Sequence, residues 1–234
     1  MPLTGARPEW LTFDCYGTLI QWDEGLLEAV TKILARHGKA DIEAGRLIQV
    51  YDRHEHRLEQ EKPHRSFREV SGSALRSAME ELGLAYASDD TLTLTSNISK
   101  MPPFPEVVET LASLKAAGFK LCIISNTDDD IIAGNLAQLG GHIDRVISAE
   151  QAGAYKPSRQ IFEHAHGAIG TTRAQLVHIC ASPHLDLAAA RDLGFRAIWI
   201  NRGSERRPLP DYRPDAEFPR LDGVVQCFRS LGWM

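Results

Sequence analysis

The sequence predicts a parallel α/β core interrupted near its start by an all-helical insertion, and three features of the chain predict it. Short branched apolar runs alternate with helix-period segments through the C-terminal half. Several of those helices end at a glycine, and between about Asp23 and Met101 the strand rhythm stops altogether. Strand, helix, strand repeated in this way gives a sheet covered on both faces, whose strands read as continuous apolar runs.

The first strand is expected at residues 11–13. Helical patterns then follow at 26–36, 42–60 and 67–82 with no convincing strand among them, so the insertion is set at 23–101 and the core at 1–22 with 102–234. Met101-Pro102-Pro103 and Phe104-Pro105 disfavour helix and form the return hinge. Beyond it, buried strands are expected at 121–125, 145–148, 177–181 and 197–200, separated by helices at 105–117, 129–139, 158–169 and 185–193. Gly118, Gly140, Gly170 and Gly194 suit the left-handed position that closes a helix. Residues 202–220, dense in Arg and Pro, read as an exposed loop before a last helix near 224–231, and no internal repeat is present.

A chain of 234 residues can bury a core large enough to offset its conformational entropy, and 43 % apolar with 24 % charged residues is ordinary globular composition. The formal charge of −5 excludes a general binder of nucleic acid or of acidic membranes, while leaving room for a local pocket for a small anion. The opening MPLTGARPEW has no signal-peptide run and no stretch approaches a membrane span, which makes the cytoplasm the expected location. Cys15, Cys122, Cys180 and Cys227 are far apart, suggesting neither a disulfide framework nor a zinc site but reduced, mostly buried thiols.

Ligands of parallel sheets bind outside the carboxyl ends of the strands, so the residues just after each apolar run carry the functional reading. Asp14 follows the first strand in Asp14-Cys15-Tyr16-Gly17-Thr18-Leu19, Ser125-Asn126-Thr127 ends the second, Tyr155-Lys156-Pro157 follows the third, and Ser182-Pro183-His184-Leu185-Asp186 follows the fourth. One rim thus collects a carboxylate, a hydroxyl with an amide, an ammonium and a second carboxylate. A carboxylate can displace a leaving group to form an ester or acyl phosphate that water then cleaves. Lys156 would keep Asp14 ionised, Asp186 would fix Lys156 or activate water, and Ser125 and Asn126 would hydrogen-bond the substrate's polar head. Gly17 permits a tight turn whose N–H groups can face an anion.

The order D-x-Y-G-T-L, S-N, Y-K-P and S-x-x-x-D resembles the haloacid dehalogenase superfamily, and within it the type II L-2-haloacid dehalogenase branch. The resemblance covers about residues 11–202, closing strand included, and matches the insertion only in position and helical character. It implies a Rossmann-like core with a helical cap, Asp14 as nucleophile, Cys15, Tyr16, Thr18 and Ser125 around the substrate, and Lys156 as the cation of the third motif. It implies attack at C2 of a 2-haloacid with inversion, needing no cofactor, and a cap arginine cradling the halide; Arg46 best fits the distance from the nucleophile, with Arg53 and Arg57 one turn apart on the same helix. Dimers are common among similar proteins.

Phosphatases of that superfamily carry D-x-D and a paired acid motif, G-D-x-x-x-x-D, where this chain has Tyr16 and Ala181-Ser182-Pro183-His184-Leu185-Asp186. A hard octahedral Mg²⁺ would be short of carboxylates and opposed by Lys156, so no metal is expected. The chain also departs from the dehalogenase pattern, which has an Asn shortly before the last Asp; here Pro183 and His184 stand there, His184 being either a polar group toward water or leaving group or a structural residue. Relatives with a changed loop hydrolyse fluoroacetate or a strained cyclic amino acid, which broadens the expectation to a small 2-substituted carboxylate.

Other readings fare worse. A thiol-phosphatase loop starting at Cys15 would need Arg where Gln21 stands, and no G-x-S-x-G elbow, Walker loop or G-x-G-x-x-G occurs. His54 with His56, and His164 with His166, are spaced wrongly for one helix face. Asp128-Asp129-Asp130 reads as the cap of the following helix. Tyr16 and Trp22 either line an apolar pocket or pack in the core. Two further alternatives are a Mg²⁺-dependent phosphatase and a degenerate binding module, the latter disfavoured because Asp14 and Lys156 are both present.

Overall fold

A computed structural model describes residues 3–39, 42–204 and 206–234; the first two residues of the N-terminal segment, positions 40 and 41 of the helical insertion and position 205 of the Arg- and Pro-rich loop lie outside them. Strand β1 (Trp10–Phe13) is buried at all four positions, as its sequence WLTF demands of a central strand. It is flanked by β2 (Lys120–Ser125) and β4 (Leu176–Cys180), and the six-stranded sheet has the order β3-β2-β1-β4-β5-β6, with β3 (Arg145–Ser148), β5 (Arg196–Ile200) and β6 (Ala216–Phe218). Every pairing is parallel. The fold is therefore α/β, with the reversal of strand order beside β1, where ligands of such sheets bind.

Strand β6 falls inside the stretch expected to be a loop. Three residues at a sheet edge, none of them β-branched, give no alternation for a pattern to register; only pairing with β5, from Ile198 opposite Ala216 to Ile200 opposite Phe218, makes them a strand. Helices α5 (Val107–Ala116), α6 (Asp129–Leu136), α7 (Ala149–Ala152), α8 (Arg159–Ala168), α9 (Ala188–Leu193) and α10 (Asp222–Ser230) complete the core.

Four helices occupy the insertion: α1 (Trp22–Arg36), α2 (Ala44–Glu59), α3 (Phe67–Glu81) and α4 (Ser88–Ile98). Buried residues three and four apart, such as Leu26, Ala29, Val30 and Ile33 in α1 and Val70, Ala74, Leu75 and Ala78 in α3, form the stripes by which they pack. The Thr-rich α4 gave no clear helical pattern. Asp90 secures it, accepting from the Ala87 N–H at 2.8 Å and from Arg36 of α1 at 3.1 Å. Among the described residues, no helix is long and apolar enough to cross a membrane.

The outgoing and returning chains run side by side: Gln21 N–H donates to Pro102 O at 2.9 Å and Phe104 N–H to Leu19 O at 3.0 Å. Arg202, at the end of β5, clamps this crossing. Its guanidinium pairs with Glu106 at 2.8 Å, donates to Thr18 O at 2.7 Å and lies 3.6 Å from the centre of the Phe104 ring. Asp128 makes a second tie. It precedes α6 as expected, but its carboxylate accepts from the N–H groups of Phe67 and Arg68, at 2.7 and 2.9 Å, and so caps α3 rather than its own helix. The Glu150 carboxylate receives the Asp129 N–H instead, and Asp130 pairs with Arg68 at 2.6 Å.

Removing Arg202 by Arg202→Ala strands a buried Glu106 carboxylate and is expected to cost about 3–5 kcal/mol, read as a lower denaturant midpoint. Burial alone pushes the Glu106 carboxyl up, yet backbone N–H groups and Arg202 outweigh it and hold the group below its ordinary value of 4.5. A depressed carboxyl stabilises above its unfolded value and loses that contribution as pH falls through the folded value. The stability gap between wild type and Glu106→Gln should therefore close below about pH 4 in denaturant titrations.

Candidate active site

Asp14 leaves the end of β1 with its backbone N–H still donated to Ile179 O of β4 at 3.0 Å, so the neighbouring strand sets its position. The chain then turns tightly: the N–H groups of Leu19 and Ile20 both reach Cys15 O, at 2.8 and 3.0 Å, and Gly17 sits at φ +80°. That conformation favours glycine, and a Cβ there would also meet Nη2 of Arg206 at 3.0 Å. Thr18 Oγ1 donates to Asp14 Oδ2 at 2.6 Å and accepts from the Ala181 N–H at 2.8 Å, locking the first and last motif loops together.

Lys156 is fully buried, and its Nζ donates to Asp14 Oδ1 at 2.6 Å and to Asp186 Oδ1 at 2.9 Å. Burial on its own lowers a lysine pKa; the two carboxylates outweigh it and hold the ammonium well above its usual range. Burial likewise pushes Asp186 up, but Lys156 and His178 win and keep it below the carboxylate norm. The chain of contacts continues from Asp186 to His178 Nε2 at 2.9 Å and from His178 Nδ1 to Thr12 Oγ1 at 2.8 Å. A ring proton on Nε2, with the Thr12 hydroxyl donating to Nδ1, satisfies both bonds.

Above this floor lies a cavity of about 510 Å³, closed from the other side by α2. Of the residues expected from sequence, Asp14, Tyr16, Ser125, Asn126, Lys156, Ser182 and His184 line it. Trp22 lines it too, its ring 5.2 Å from that of Tyr16. Tyr16 OH is anchored on Asn135 Oδ1 at 2.9 Å, and the Asn126 amide is engaged by Glu59, by Lys156 O and by the Lys156 N–H. Ser182 accepts from the Leu185 N–H and opens the π-helical turn Pro183–Leu187 that carries His184 and Asp186. Ser125 lines the cavity, and its Oγ is buried with no hydrogen-bond partner among the described residues.

Four expected residues stand elsewhere. The Cys15 side chain belongs to the apolar core, where burial and then Asp14 push its thiol far up, and the residue serves the site through its backbone carbonyl. Thr18 and Asp186 act from behind Asp14 and Lys156 and do not line the cavity. Asp186 therefore holds the lysine rather than reaching water in the cavity. Arg46 is exposed on the first turn of α2, away from the cavity, while Arg53 pairs with Glu81 at 2.7 Å and Arg57 with Glu61. Helix periodicity explains this: the inward stripe of α2 is Asp52, Glu55, His56 and Glu59, which turns 46, 53 and 57 outward.

The arginine that does line the cavity, among the described residues, is Arg206 from the loop after β5, paired with Asp23 at 2.9 Å. Sequence reasoning missed it because nothing local marks a loop residue as inward-facing. His178 was legible as a polar residue in the middle of an apolar strand, and the acids of α2 as a stripe at i, i+3 and i+7.

A family model described as haloacid dehalogenase-like hydrolase matches residues 9–194. The (S)-2-haloacid dehalogenase of Pseudomonas sp. (strain YL) is 30 % identical over 167 residues, covering 70 % of this chain and 72 % of that protein. Haloacetate dehalogenase H-2 of Moraxella sp. (strain B) is 29 % identical over 161 residues, covering 68 % and 71 %. The solved L-2-haloacid dehalogenase of Xanthobacter autotrophicus with chloropropionic acid covalently bound superposes with a TM-score of 0.83 at 19 % identity, over 96 % of this chain and 99 % of that one, and so shares the fold. The rim built around Asp14 and Lys156 thus sits in a chain that belongs to the haloacid dehalogenase-like hydrolases.

Proposed function

We propose that the protein is an (S)-2-haloacid dehalogenase-type hydrolase of small 2-substituted carboxylates, working through an ester on Asp14 without a metal. The observation that carries this is the 2.6 Å contact of the buried Lys156 ammonium with Asp14 at the cavity floor. The donor set supports it: Lys156 already bridges Asp14 and Asp186, and Tyr16 and Ala181 stand where a Mg²⁺ site would need an acid and its partner.

The Asp14 carboxylate attacks C2, the halide leaves with the bonding pair, and an ester joins C2 to Asp14. Water then adds to the Asp14 carbonyl carbon, the 2-hydroxy acid departs, and one proton is released as the carboxylate is restored. Thr18 and Lys156 each hold one Asp14 oxygen, which aims the carboxylate and stabilises its charge between turnovers. The free Ser125 hydroxyl and the loop N–H groups suit the substrate carboxylate, and Arg206 takes the electrostatic role toward the leaving group that was expected of Arg46. Residues 23–101 serve as a cap that screens the cavity from bulk solvent while leaving room for the water that cleaves the ester, over a core of 1–22 and 102–234. A reducing, cytoplasmic setting accords with four unpaired cysteines, and a homodimer would cover Leu27 and Leu92, exposed on the adjoining helices α1 and α4.

Halide release should be measured from 2-chloro, 2-bromo and 2-fluoro carboxylates, with a phosphate ester, Mg²⁺ and a chelator as controls. Chelator-resistant halide release that falls by at least about 10³-fold in Asp14→Asn, with the fold retained by circular dichroism, is expected. Mg²⁺-dependent phosphate release alone would sink the reading. Asp186→Asn keeps the shape but removes the charge that anchors Lys156; kcat is expected to fall about 10- to 100-fold while KM stays within about twofold.

A further inference from the structure

His178 stands third in β4, LVHIC, a strand buried at every position. A polar ring so deep is tolerable only if its nitrogens are satisfied, and both are. Nδ1 meets Thr12 Oγ1 at 2.8 Å across the β1–β4 pairing, where the two residues lie opposite each other, and Nε2 reaches Asp186 Oδ1 at 2.9 Å. Thr12, His178 and Asp186 are all fully buried. The rings of Phe162 and Phe195 stand edge-on to the imidazole at 5.7 and 5.8 Å, so packing fixes its plane while the hydrogen bonds fix its ends.

Asp186 depends on this ring. Its Oδ1 receives both Lys156 Nζ and His178 Nε2, whereas Oδ2 is buried with no hydrogen-bond partner among the described residues. Only the two donors on the first oxygen therefore oppose rotation of the carboxylate. Lys156 in turn needs Asp186 unequally through the cycle. In the resting site the ammonium has two anionic partners, at 2.6 and 2.9 Å. Alkylation of an Asp14 oxygen cancels the charge of the first, and for the lifetime of the ester Asp186 alone of the pair still carries a charge to hold it. Water adding to the Asp14 carbonyl carbon places negative charge on an oxygen, which a nearby ammonium stabilises only from a fixed position. Attack at C2 is less exposed to this weakness, because Thr18 and Lys156 then still grip the Asp14 carboxylate from two sides.

We infer that His178 is a positioning residue for the second half of the reaction: by fixing Asp186 it holds Lys156 against the Asp14 ester while water cleaves it. His178 does not line the cavity and so acts only through Asp186. This role deepens the hydrolase reading and rests on it.

One turnover of (S)-2-chloropropionate should be followed by halide release and by the intact mass of the chain in wild type, His178→Gln, His178→Asn and Thr12→Val, with folding checked by circular dichroism. A glutamine amide can place an N–H where Nε2 stands, while the shorter asparagine ends near Nδ1 and falls short of Asp186. His178→Gln is expected to break down the ester within about threefold of the wild-type rate. In His178→Asn breakdown is expected to slow at least about 10-fold more than formation, so that the ester-bearing chain accumulates after a stoichiometric burst of halide. Its kcat and KM then fall together and kcat/KM stays within about threefold, unlike Asp186→Asn, which also removes a charge from the resting site. Thr12→Val leaves the histidine in its strand and frees only the far nitrogen; a slowing of ester breakdown by at least about threefold is expected, and this variant decides the matter should the substitutions at 178 not fold. Equal behaviour of the glutamine and asparagine variants, or equal slowing of both steps, or wild-type ester breakdown in Thr12→Val where no 178 variant folds, overturns the role of His178 and leaves the hydrolase standing. Absence of halide release from the wild type fells the dehalogenase reading itself, and the positioning role with it.

Discussion

The buried ammonium of Lys156 sits between two carboxylates that would otherwise repel each other at the carboxyl end of the sheet, and much of the site is organised by its need for partners. A fully buried lysine is tolerable only if paired, and Asp14 and Asp186 supply that pairing from β1 and from the turn after β4. In return the ammonium, 2.6 Å from Oδ1, holds the Asp14 carboxylate in one orientation at the cavity floor. The same contact explains why His178 and Thr12, interior residues of two strands, are polar: they finish the hydrogen-bond chain that begins at Asp14.

That floor needs a roof whose position is set by equally specific contacts. The paired linkers at Gln21 and Pro102 carry the four-helix insertion away from the sheet, and Arg202 bolts their crossing to the motif loop through Thr18 O. Asp128 places a carboxylate on the exposed N–H groups at the start of α3, where the helix dipole strengthens the bonds. Both ties join residues far apart in the chain, and both end close to the cavity. These ties fix where the helical insertion stands relative to the floor.

What the roof presents to the cavity is a row of acids on α2. A cavity that held only haloacid anions would gain from cations on α2, yet the inward face of that helix is acidic and its arginines point outward or into surface ion pairs. Apolar walls from Tyr16, Trp22 and Phe67 lie beside that acidic stripe.

Much of this was already legible in the chain. Short apolar runs rich in branched residues, such as Leu121 to Ser125 between polar or glycine punctuation, read as interior strands, and short-range rules of helix periodicity and glycine closure place the elements between them. The reactive positions were legible too, because Asp14, Ser125, Lys156 and Asp186 each follow such a run, and a parallel sheet sends all those ends to one rim. Contacts between surfaces were not legible. Whether Arg46 or Arg206 faces the cavity, whether Asp128 caps its own helix or α3, and whether residues 216–218 pair as a strand depend on how the insertion and the long loop pack against the sheet. By itself the sequence determined the fold class and the rim on which Asp14 and Lys156 meet, since these rest on local periodicity and on strand ends. Only the tertiary structure decided which charges enclose the substrate, because that depends on the relative rotation of packed elements, to which no single segment is sensitive.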